Sequence, residues 1–313
     1  MPQTLLDVVR ESYTLVVDDH FDGTEPRQPV EKPTGSHAGA SDGTTRQTQP
    51  RKPAEHLTGT EAGESGGATK HPDLDPSLWL PHHLPQWSSR EDSAARYHVN
   101  NGALTLLIEE HQAPWCPEFD GQVRVSSIQT GVFAGPVGSS VGQHQFSDQA
   151  VVREAQETQW LYTPTYGVFR LRAKADLEPG CMVALWMIGV EDEPHRSGVV
   201  DVMEIFGTAV TPDGAAVGMN VKAFGDPALT DDEATVDAAI DVATYHSYGL
   251  RWTPEDLTWY LDDEPVRQVA QSPDYPMQFM LGLYQFDTAE TPRSGPYPKR
   301  FSIDRFQAWE PTR

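Results

Sequence analysis

The sequence predicts an all-β fold in which two antiparallel sheets pack as a sandwich or jelly roll. Many short runs are rich in β-branched and aromatic residues, several alternate strictly, and polar turn residues separate them. In the run at 166–175, for example, charged residues alternate with apolar ones, so one face would be polar and the other buried. Many strands joined by polar turns are typical of antiparallel sandwiches.

Taken in chain order, nine runs predict strands. They lie at 13–21, 103–110, 166–175, 181–190, 199–207, 245–253, 257–266, 277–286 and 300–309. The pair Asp262-Asp263 interrupts the seventh run with strand-like residues on both sides, which predicts a hairpin turn there. Helical periodicity is found only at 3–12 and 231–242, which we interpret as short helices.

The chain divides into an N-terminal segment with the opening strand (1–23), an insertion (24–73) and the main domain (74–313). In the insertion, 24 of 50 residues are Gly, Pro, Ser or Thr, and only Val30 and Leu57 are large and apolar. Such a segment buries too little apolar surface to offset the entropy of ordering it, so we expect it to be disordered. The 313 residues then describe one interrupted domain.

The net charge of −23 excludes partners that carry dense negative charge. The insertion is nearly neutral, with 6 basic and 7 acidic residues, so the acidity belongs to the folded part. Nucleic acid and membrane surfaces are therefore not expected as partners. Charges at 7, 10 and 11 make a poor signal peptide, and no run has the ~18 apolar residues of a membrane helix. We expect a cytoplasmic monomer, with export by another route left open.

Some features that resemble chemical motifs lack the context that the chemistry needs. Residues 138–142 read GSSVG, close to His144, and fit the G-x-S-x-G pattern of serine hydrolases. That pattern acts at a strand-to-helix turn, whereas this stretch is rich in Gly and Pro with no helix after it, so we interpret it as a loop. Cys116 and Cys181 are too few for a disulfide framework; they are two buried thiols or one bridge.

The most informative segment is HRSGVVDVMEIFG at 195–207, because Asp201 and Glu204 stand in an otherwise apolar strand. An acidic side chain there is costly unless it faces a cleft or has a partner. A β-bulge near Val202-Met203 would bring Glu204 to the face of Asp201, and bulges are frequent next to active sites. Two close carboxylates raise the pKa of one of them, which can then act as a general acid.

The segment GVVDVMEIFG at 198–207 resembles the catalytic strand of glycoside hydrolase family 16, whose pattern is E-x-D-x-x-E. Three further segments match that family in order, at 166–189, 246–267 and 301–310, and DDHFDG with LDPSLW is similar to its opening motifs. The resemblance implies a concanavalin A-like β-jelly roll with a concave glycan cleft. It also implies cleavage of β-glucans or β-galactans with retention of configuration.

Carried over residue by residue, the resemblance makes Glu204 the general acid/base and Asp201 the middle aspartate of the motif. The nucleophile position falls on Val199, which has no lone pair and is not competent. We expect Trp186, Trp252 and His195 to bind substrate, although Trp252 and the nearby tryptophan at 259 could equally be core residues. His20 stands where the family often has a calcium-binding Glu, so no cofactor is expected; Asp304 would be the best remaining ligand of a structural Ca²⁺.

Several functions fit these residues. The first is hydrolysis of a β-glucan or related polysaccharide with Glu204 as acid, which requires either Asp201 to activate water or a nucleophile from Glu191, Asp192 or Glu193. The second is a lectin-like protein that binds a glycan without cleaving it. A jelly-roll lyase is a further alternative, but the catalytic strand matches a hydrolase pattern. In each case the acidic surface favours a neutral or cationic glycan.

Overall fold

The computed structural model describes residues 3–22 and 74–312, and the predicted insertion at 24–73 lies outside the described residues. Each of the nine predicted runs contains a strand, and the run at 257–266 contains one strand and the start of the next. The elements are α1 (Leu5–Ser12), β1 (Tyr13–Asp19), a 3₁₀ turn (Pro85–Trp87), β2 (Tyr97–Asn100), β3 (Ala103–Ile108), α2 (Pro117–Asp120), β4 (Arg124–Gln129), β5 (Gly131–Val132), β6 (Gln159–Trp160), β7 (Gly167–Asp176), β8 (Cys181–Gly189), β9 (Val199–Phe206), a 3₁₀ turn (Gly207–Ala209), β10 (Val210–Thr211), β11 (Gly214–Gly218), β12 (Val221–Lys222), β13 (Thr235–Ala238), β14 (His246–Trp252), β15 (Leu257–Leu261), β16 (Glu264–Val269), β17 (Met277–Gln285) and β18 (Lys299–Pro311).

The strands form two eight-stranded antiparallel sheets, which confirms the predicted fold class. The first sheet has the order β16-β15-β14-β7-β18-β3-β2, with β1 also paired to β18. The second has the order β10-β11-β9-β8-β17-β4, with β12 paired to β9 and β13 paired to β11. The short strands β5 and β6 pair with each other.

Strand β18 ties the beginning of the chain to its end. Its first half pairs with β3 and its second half with β1, while β7 pairs along its other edge. Residues near position 15 and residues near position 309 are therefore neighbours in one sheet.

Alternation along each strand separates the core from the outer faces. On β8, the residues that face the core between the sheets are Val183, Leu185 and Met187. The intervening residues, Met182, Ala184, Trp186 and Ile188, belong to a second apolar cluster on the opposite face. We call this opposite face the outer face of the second sheet, and it carries the candidate site.

Two local predictions are confirmed and one is wrong. Helix α1 begins at a Thr4 cap and packs its buried residues on the first sheet. At the predicted hairpin, Asp262 and Asp263 have φ angles of 49° and 68°, as a type I′ turn requires. Residues 231–242 instead contain β13, because burial alternates with period two there, and Val236 and Ala238 pack on the core as strand residues.

Both cysteines are buried free thiols, which settles the open choice between thiols and a bridge. Burial raises the pKa of Cys116 to about 11, so this thiol stays protonated at neutral pH. Within residues 3–22 and 74–312, no helix is long and apolar enough to cross a membrane.

Candidate active site

A cavity of about 290 Å³ opens on the outer face of the second sheet. Most of its lining is aromatic or apolar, with a few ionisable groups among them, which is the usual make-up of a small-ligand site. The lining residues are His83, Leu84, Trp115, Asp120, Val123, His144, Phe146, Met182, Ala184, Trp186, Val199, Asp201, Glu204, Lys222, Phe224, Tyr284 and Phe286. We call it the main cavity.

The predicted β-bulge in β9 places the two carboxylates in this cavity. Leu185 of β8 faces Met203, and the next residue of β8 faces Asp201, so Val202 is the extra residue. Because Val202 and Met203 both belong to the core cluster, the alternation resets and Glu204 returns to the outer face. The bulge that the sequence predicts is thus confirmed, and Val199, Asp201 and Glu204 line one cavity.

Asp201 is buried, only 3% exposed, and is held by two donors on one oxygen. Lys222 Nζ lies 2.8 Å from its Oδ2, and the Asn220 side-chain amide donates to the same atom at 2.8 Å. Behind the strand, the indole N–H of Trp259 donates to the main-chain carbonyl of Asp201 at 2.8 Å. A buried carboxyl group is costly without such partners, and Lys222 and Asn220 supply them.

Glu204 has the opposite character. Burial, and next the negative charge of Asp201, raise the pKa of Glu204 from 4.5 to about 7, against the opposing effect of Lys222. Near neutral pH this carboxyl therefore holds a proton for much of the time. A carboxyl that holds a proton near neutral pH, next to a second carboxyl paired with Lys222, is an arrangement suited to general acid–base chemistry.

Lys222 was not among the residues predicted from the sequence. It stands on β12 directly across from Val199 of β9. Burial lowers its pKa, but the charge and hydrogen bond of Asp201, with smaller effects of Glu204 and Glu233, raise it above the ordinary value overall. The ammonium is therefore charged at all working pH values. In the sequence Lys222 is a lone lysine in a segment after β9 that has no pattern of its own.

Val199 is 2% exposed and packs in the apolar cluster of the outer face. The side chain offers the cavity only an isopropyl group. Strand β9 thus presents two carboxyls to the cavity, β12 adds the ammonium of Lys222, and a third carboxyl in the wall, that of Asp120, comes from α2 and accepts the indole N–H of Trp115 at 2.6 Å.

Aromatic side chains form much of the cavity wall. Trp186 lines it, as the sequence predicts, and its indole N–H donates to the Tyr284 hydroxyl at 3.0 Å. The ring of His144 meets Trp186 edge-on, with 5.0 Å between ring centres. Burial lowers the pKa of His144 to about 4, so the ring is neutral and contributes to an uncharged aromatic wall.

The structure does not bring the other two predicted substrate-binding residues to the cavity. Trp252 is 1% exposed and packs in the core, where its indole N–H donates to Ser272 Oγ at 2.8 Å. His195 is about half exposed and lies 3.8 Å from the carboxylate of Glu193. Neither lines the main cavity.

Of the three alternative acids in the loop after β8, only Glu191 approaches the site. Asp192 and Glu193 are exposed and pair with Arg196. Glu191 accepts the main-chain N–H of His144 at 2.6 Å and lines a second cavity, which shares His144 and Phe224 with the main one. Glu191 thus lies next to the main cavity rather than in its wall.

The G-x-S-x-G segment is a loop without a following helix, as predicted. Ser140 and Gly142 line the second cavity with His144, and His144 has a left-handed φ of 51°. No strand leads into a helix there, so the serine lacks the strained turn that activates such a nucleophile.

The two residues considered in connection with Ca²⁺ each lie next to another charged group. Asp304 pairs with Arg172, and His20 lies 3.4 Å from Asp18. Across the part of the chain that the structure describes, no group of three or more His, Cys, Asp or Glu side chains is arranged to hold a metal ion.

This two-sheet sandwich, with a bulged strand that carries a carboxyl pair in an aromatic cavity, is similar in fold to solved endo-glycosidase structures. The model of the glycosyl hydrolases family 16 matches residues 153–304. Over that stretch, just under half of the chain, the sequence is similar to that family.

Among similar proteins, the chain is 29% identical over 154 residues to "Endo-1,3-1,4-beta-glycanase ExsH" of Rhizobium meliloti (strain 1021), a match that covers 46% of this chain and 32% of the relative. It is 30% identical over 109 residues to "Beta-glucanase" of Rhodothermus marinus, covering 32% of this chain and 36% of the relative. The chain thus spans about a third of the length of these curated relatives.

A solved structure similar over most of the chain is that of the GlcNAcα1-4Gal releasing endo-β-galactosidase from Clostridium perfringens. The TM-score is 0.71 with 26% sequence identity, over 96% of this chain and 64% of that one. SCLam, a non-specific endo-β-1,3(4)-glucanase from family GH16, has a TM-score of 0.57 at 15% identity, covers 96% of this chain and 92% of its own, and supports the fold alone.

Proposed function

We propose that the protein binds a β-glucan or a related polysaccharide in the main cavity and hydrolyses an O-glycosidic bond there, with Glu204 as the general acid. The observation that carries the proposal is the position of Glu204 beside Asp201 in an aromatic cavity, with a pKa raised to about 7. The names of the relatives, endo-glycanases and a β-glucanase, support the substrate class.

The chemistry that these residues support is a single displacement. Glu204 donates its proton to the leaving oxygen as the bond from that oxygen to the anomeric carbon breaks. Asp201 accepts a proton from water, whose oxygen attacks the same carbon from the other side. Inverting hydrolysis needs carboxyls ~6.5–9.5 Å apart, and same-face neighbours on a strand are ~7 Å apart. Val199 forms no covalent intermediate, so the double displacement of the family pattern has no nucleophile here.

Glycan binding without turnover is the second candidate, and a specific observation favours it. Lys222 pairs with one carboxylate oxygen of Asp201 and lies across from Val199. The part of the cavity next to Glu204 therefore holds an apolar side chain and an ion pair. A site of this kind retains a sugar-binding wall without a free nucleophile.

One set of assays separates the two candidates. The protein is incubated with a panel of β-glucans and β-galactans, and both glycan binding and the release of reducing ends are followed for wild type, Val199→Glu and Glu204→Gln. The matched control is Glu264→Gln, which changes an exposed glutamate on β16. We expect turnover by wild type and by the control, and none by Glu204→Gln.

Other outcomes decide against hydrolysis. If wild type binds a glycan and only Val199→Glu cleaves it, the protein is a glycan-binding protein. If neither wild type nor the variants bind any member of the panel, both candidates are wrong.

A further inference from the structure

We propose that the glycan-binding groove extends beyond the main cavity across Phe224, so that the site binds a chain of at least three consecutive sugar units with Phe224 as its outer stacking platform. The inference rests on the proposed function, because it assigns the length of the ligand at that same site. It applies equally to a glycan that is cleaved and to one that is only bound.

Three cavities meet at this residue. The main cavity measures about 290 Å³ and contains Glu204. The second, about 420 Å³, contains Glu191, and the third, about 470 Å³, contains Glu233. Phe224 lines all three, so the cavities are adjacent compartments of one groove.

A row of aromatic rings leads from the carboxyl pair to the surface. Trp186, in the wall of the main cavity, meets His144 at 5.0 Å between ring centres, and His144 meets Phe224 at 5.1 Å. Trp186 is 8% exposed, whereas Phe224 is 54% exposed. Large apolar side chains exposed to this degree next to a cavity are typical of ligand-contact surfaces, and aromatic rings can stack on the apolar face of a sugar.

The main chain around Phe224 is firmly held although its ring is exposed. Ala223 N–H donates to Asp231 Oδ1 at 2.8 Å, and Gly225 N–H donates to Ser197 Oγ at 2.9 Å. Phe224 itself has a left-handed φ of 47°, which a residue with a Cβ rarely adopts. A main chain held on both sides fixes the direction in which the Phe224 side chain leaves the backbone, as expected for a preorganised contact.

The two outer compartments offer hydrogen-bonding groups that suit sugar hydroxyls. The second cavity has the side chains of Ser140, Gln145 and Glu191 in its wall, and the third has Thr230, Asp231 and Glu233. A groove with an aromatic platform and polar groups on both sides matches the alternation of C–H faces and hydroxyls on a glycan chain.

The test is a length series measured by calorimetry in a non-cleaving Glu204→Gln background. The probes are β-1,3- and β-1,4-linked gluco-oligosaccharides and β-linked galacto-oligosaccharides of two to five units. In the background variant we expect affinity to rise from the disaccharide to the trisaccharide and beyond. Phe224→Asn is then introduced into the same background, because asparagine tolerates a left-handed φ. This double variant should bind the longer chains about tenfold more weakly, or by ~1.4 kcal/mol, and the disaccharide should lose less affinity.

Two further variants complete the test. Phe224→Tyr keeps the ring face and should retain the affinity of the background. Trp160→Ala removes an aromatic residue of similar exposure, 39%, that lines none of the three cavities, and should change nothing.

The inference is wrong if the Glu204→Gln variant binds the longer chains and the further substitution Phe224→Asn leaves that affinity unchanged. It is also wrong if the disaccharide binds as tightly as the tetrasaccharide. If the background variant and wild type bind none of the probes or the polysaccharides of the panel, the proposed function itself is wrong.

Discussion

At the scale of single residues, the candidate chemistry depends on three ionisable side chains: Asp201 and Glu204 on β9, and Lys222 on the neighbouring β12. Lys222 and Asn220 stabilise a negative charge on Asp201, and that charge together with burial favours a proton on Glu204. Asp201 and Glu204 could be identified from the sequence because two acids in an apolar strand are unusual. Lys222 could not, because its partner is set by the pairing of β12 with β9 rather than by neighbours in the chain.

Removing the cation should strongly destabilise the fold. In Lys222→Met the buried Asp201 keeps only the Asn220 donor, and an uncompensated buried charge costs about 3 kcal/mol. We expect the free energy of unfolding in urea to fall by about that amount at pH 7. Lys222→Arg, which keeps the charge, should lose less than half as much, and equal losses in the two variants would contradict this role.

Glu191 should make stability depend on pH. Burial raises its pKa from 4.5 to about 7, against the main-chain hydrogen bond from His144, so the folded state binds the proton more tightly than the unfolded state. Stability from this group is therefore present below about pH 4.5 and is lost as pH rises through about 7. Glu191→Gln keeps an acceptor for His144 without the charge. It should raise the free energy of unfolding by about 3 kcal/mol at pH 8 and by less than about 0.5 kcal/mol at pH 4.5. An equal effect at both pH values in urea titrations would exclude the buried charge as the cause.

At the scale of elements, the bulge in β9 and the turn before it position the site. The bulge at Val202 returns Glu204 to the outer face, and the turn from β8 to β9 fixes the start of the catalytic strand. That turn is closed by Gly189 N–H, which donates to the Gly198 carbonyl at 3.0 Å. A Cβ on Gly189 would lie 1.8 Å from the carbonyl oxygen of Arg196, so this approach requires glycine.

We therefore expect Gly189→Ala to destabilise the protein by about 2 kcal/mol or more and to shift the start of β9. Gly180→Ala is the control, because a Cβ there meets nothing closer than 3.3 Å. Thermal unfolding and glycan binding measured on both variants test this. An unaltered melting temperature in Gly189→Ala would mean that the turn can relax.

The elements also show what a sequence can predict. Alternation and apolar runs identified the long buried strands, and the Asp262-Asp263 turn was predictable because aspartate tolerates a left-handed φ. Short edge strands such as β10 and β12 were missed, since two residues carry no period. The helix predicted at 231–242 was wrong because the small and acidic residues there fit the 3.6-residue period of a helix as well as the two-residue period of a strand. Trp252 and Trp186 look alike in sequence, and only the face of its sheet on which each lies decides that one packs in the core and the other lines a cavity.

At the scale of the whole molecule, the net charge of −23 surrounds a groove that itself contains several acids. A field of this sign repels sulfated or other anionic glycans. The fold class was predictable because it depends on patterns that run through the whole chain. The three-compartment groove was not, because its walls come from loops far apart in the sequence.

We expect a neutral galactan to bind more tightly than its sulfated counterpart at low salt, with the difference shrinking as ionic strength rises, because salt screens exposed charges. Affinity electrophoresis at about 20 mM and 500 mM salt measures this. Tighter binding of the sulfated polymer at low salt would contradict the expectation and would point to a local cationic contact, with Lys222 the first residue to examine.

The central claim is that Glu204 acts as acid and Asp201 as base in a single displacement. It is tested most directly by proton NMR of the anomer released first from a β-linked glycan. The α anomer should appear first with wild type, because water attacks from the face opposite the leaving group. Initial release of the β anomer would show a covalent nucleophile that Val199 cannot provide, and the roles proposed for Asp201 and Glu204 would then be wrong.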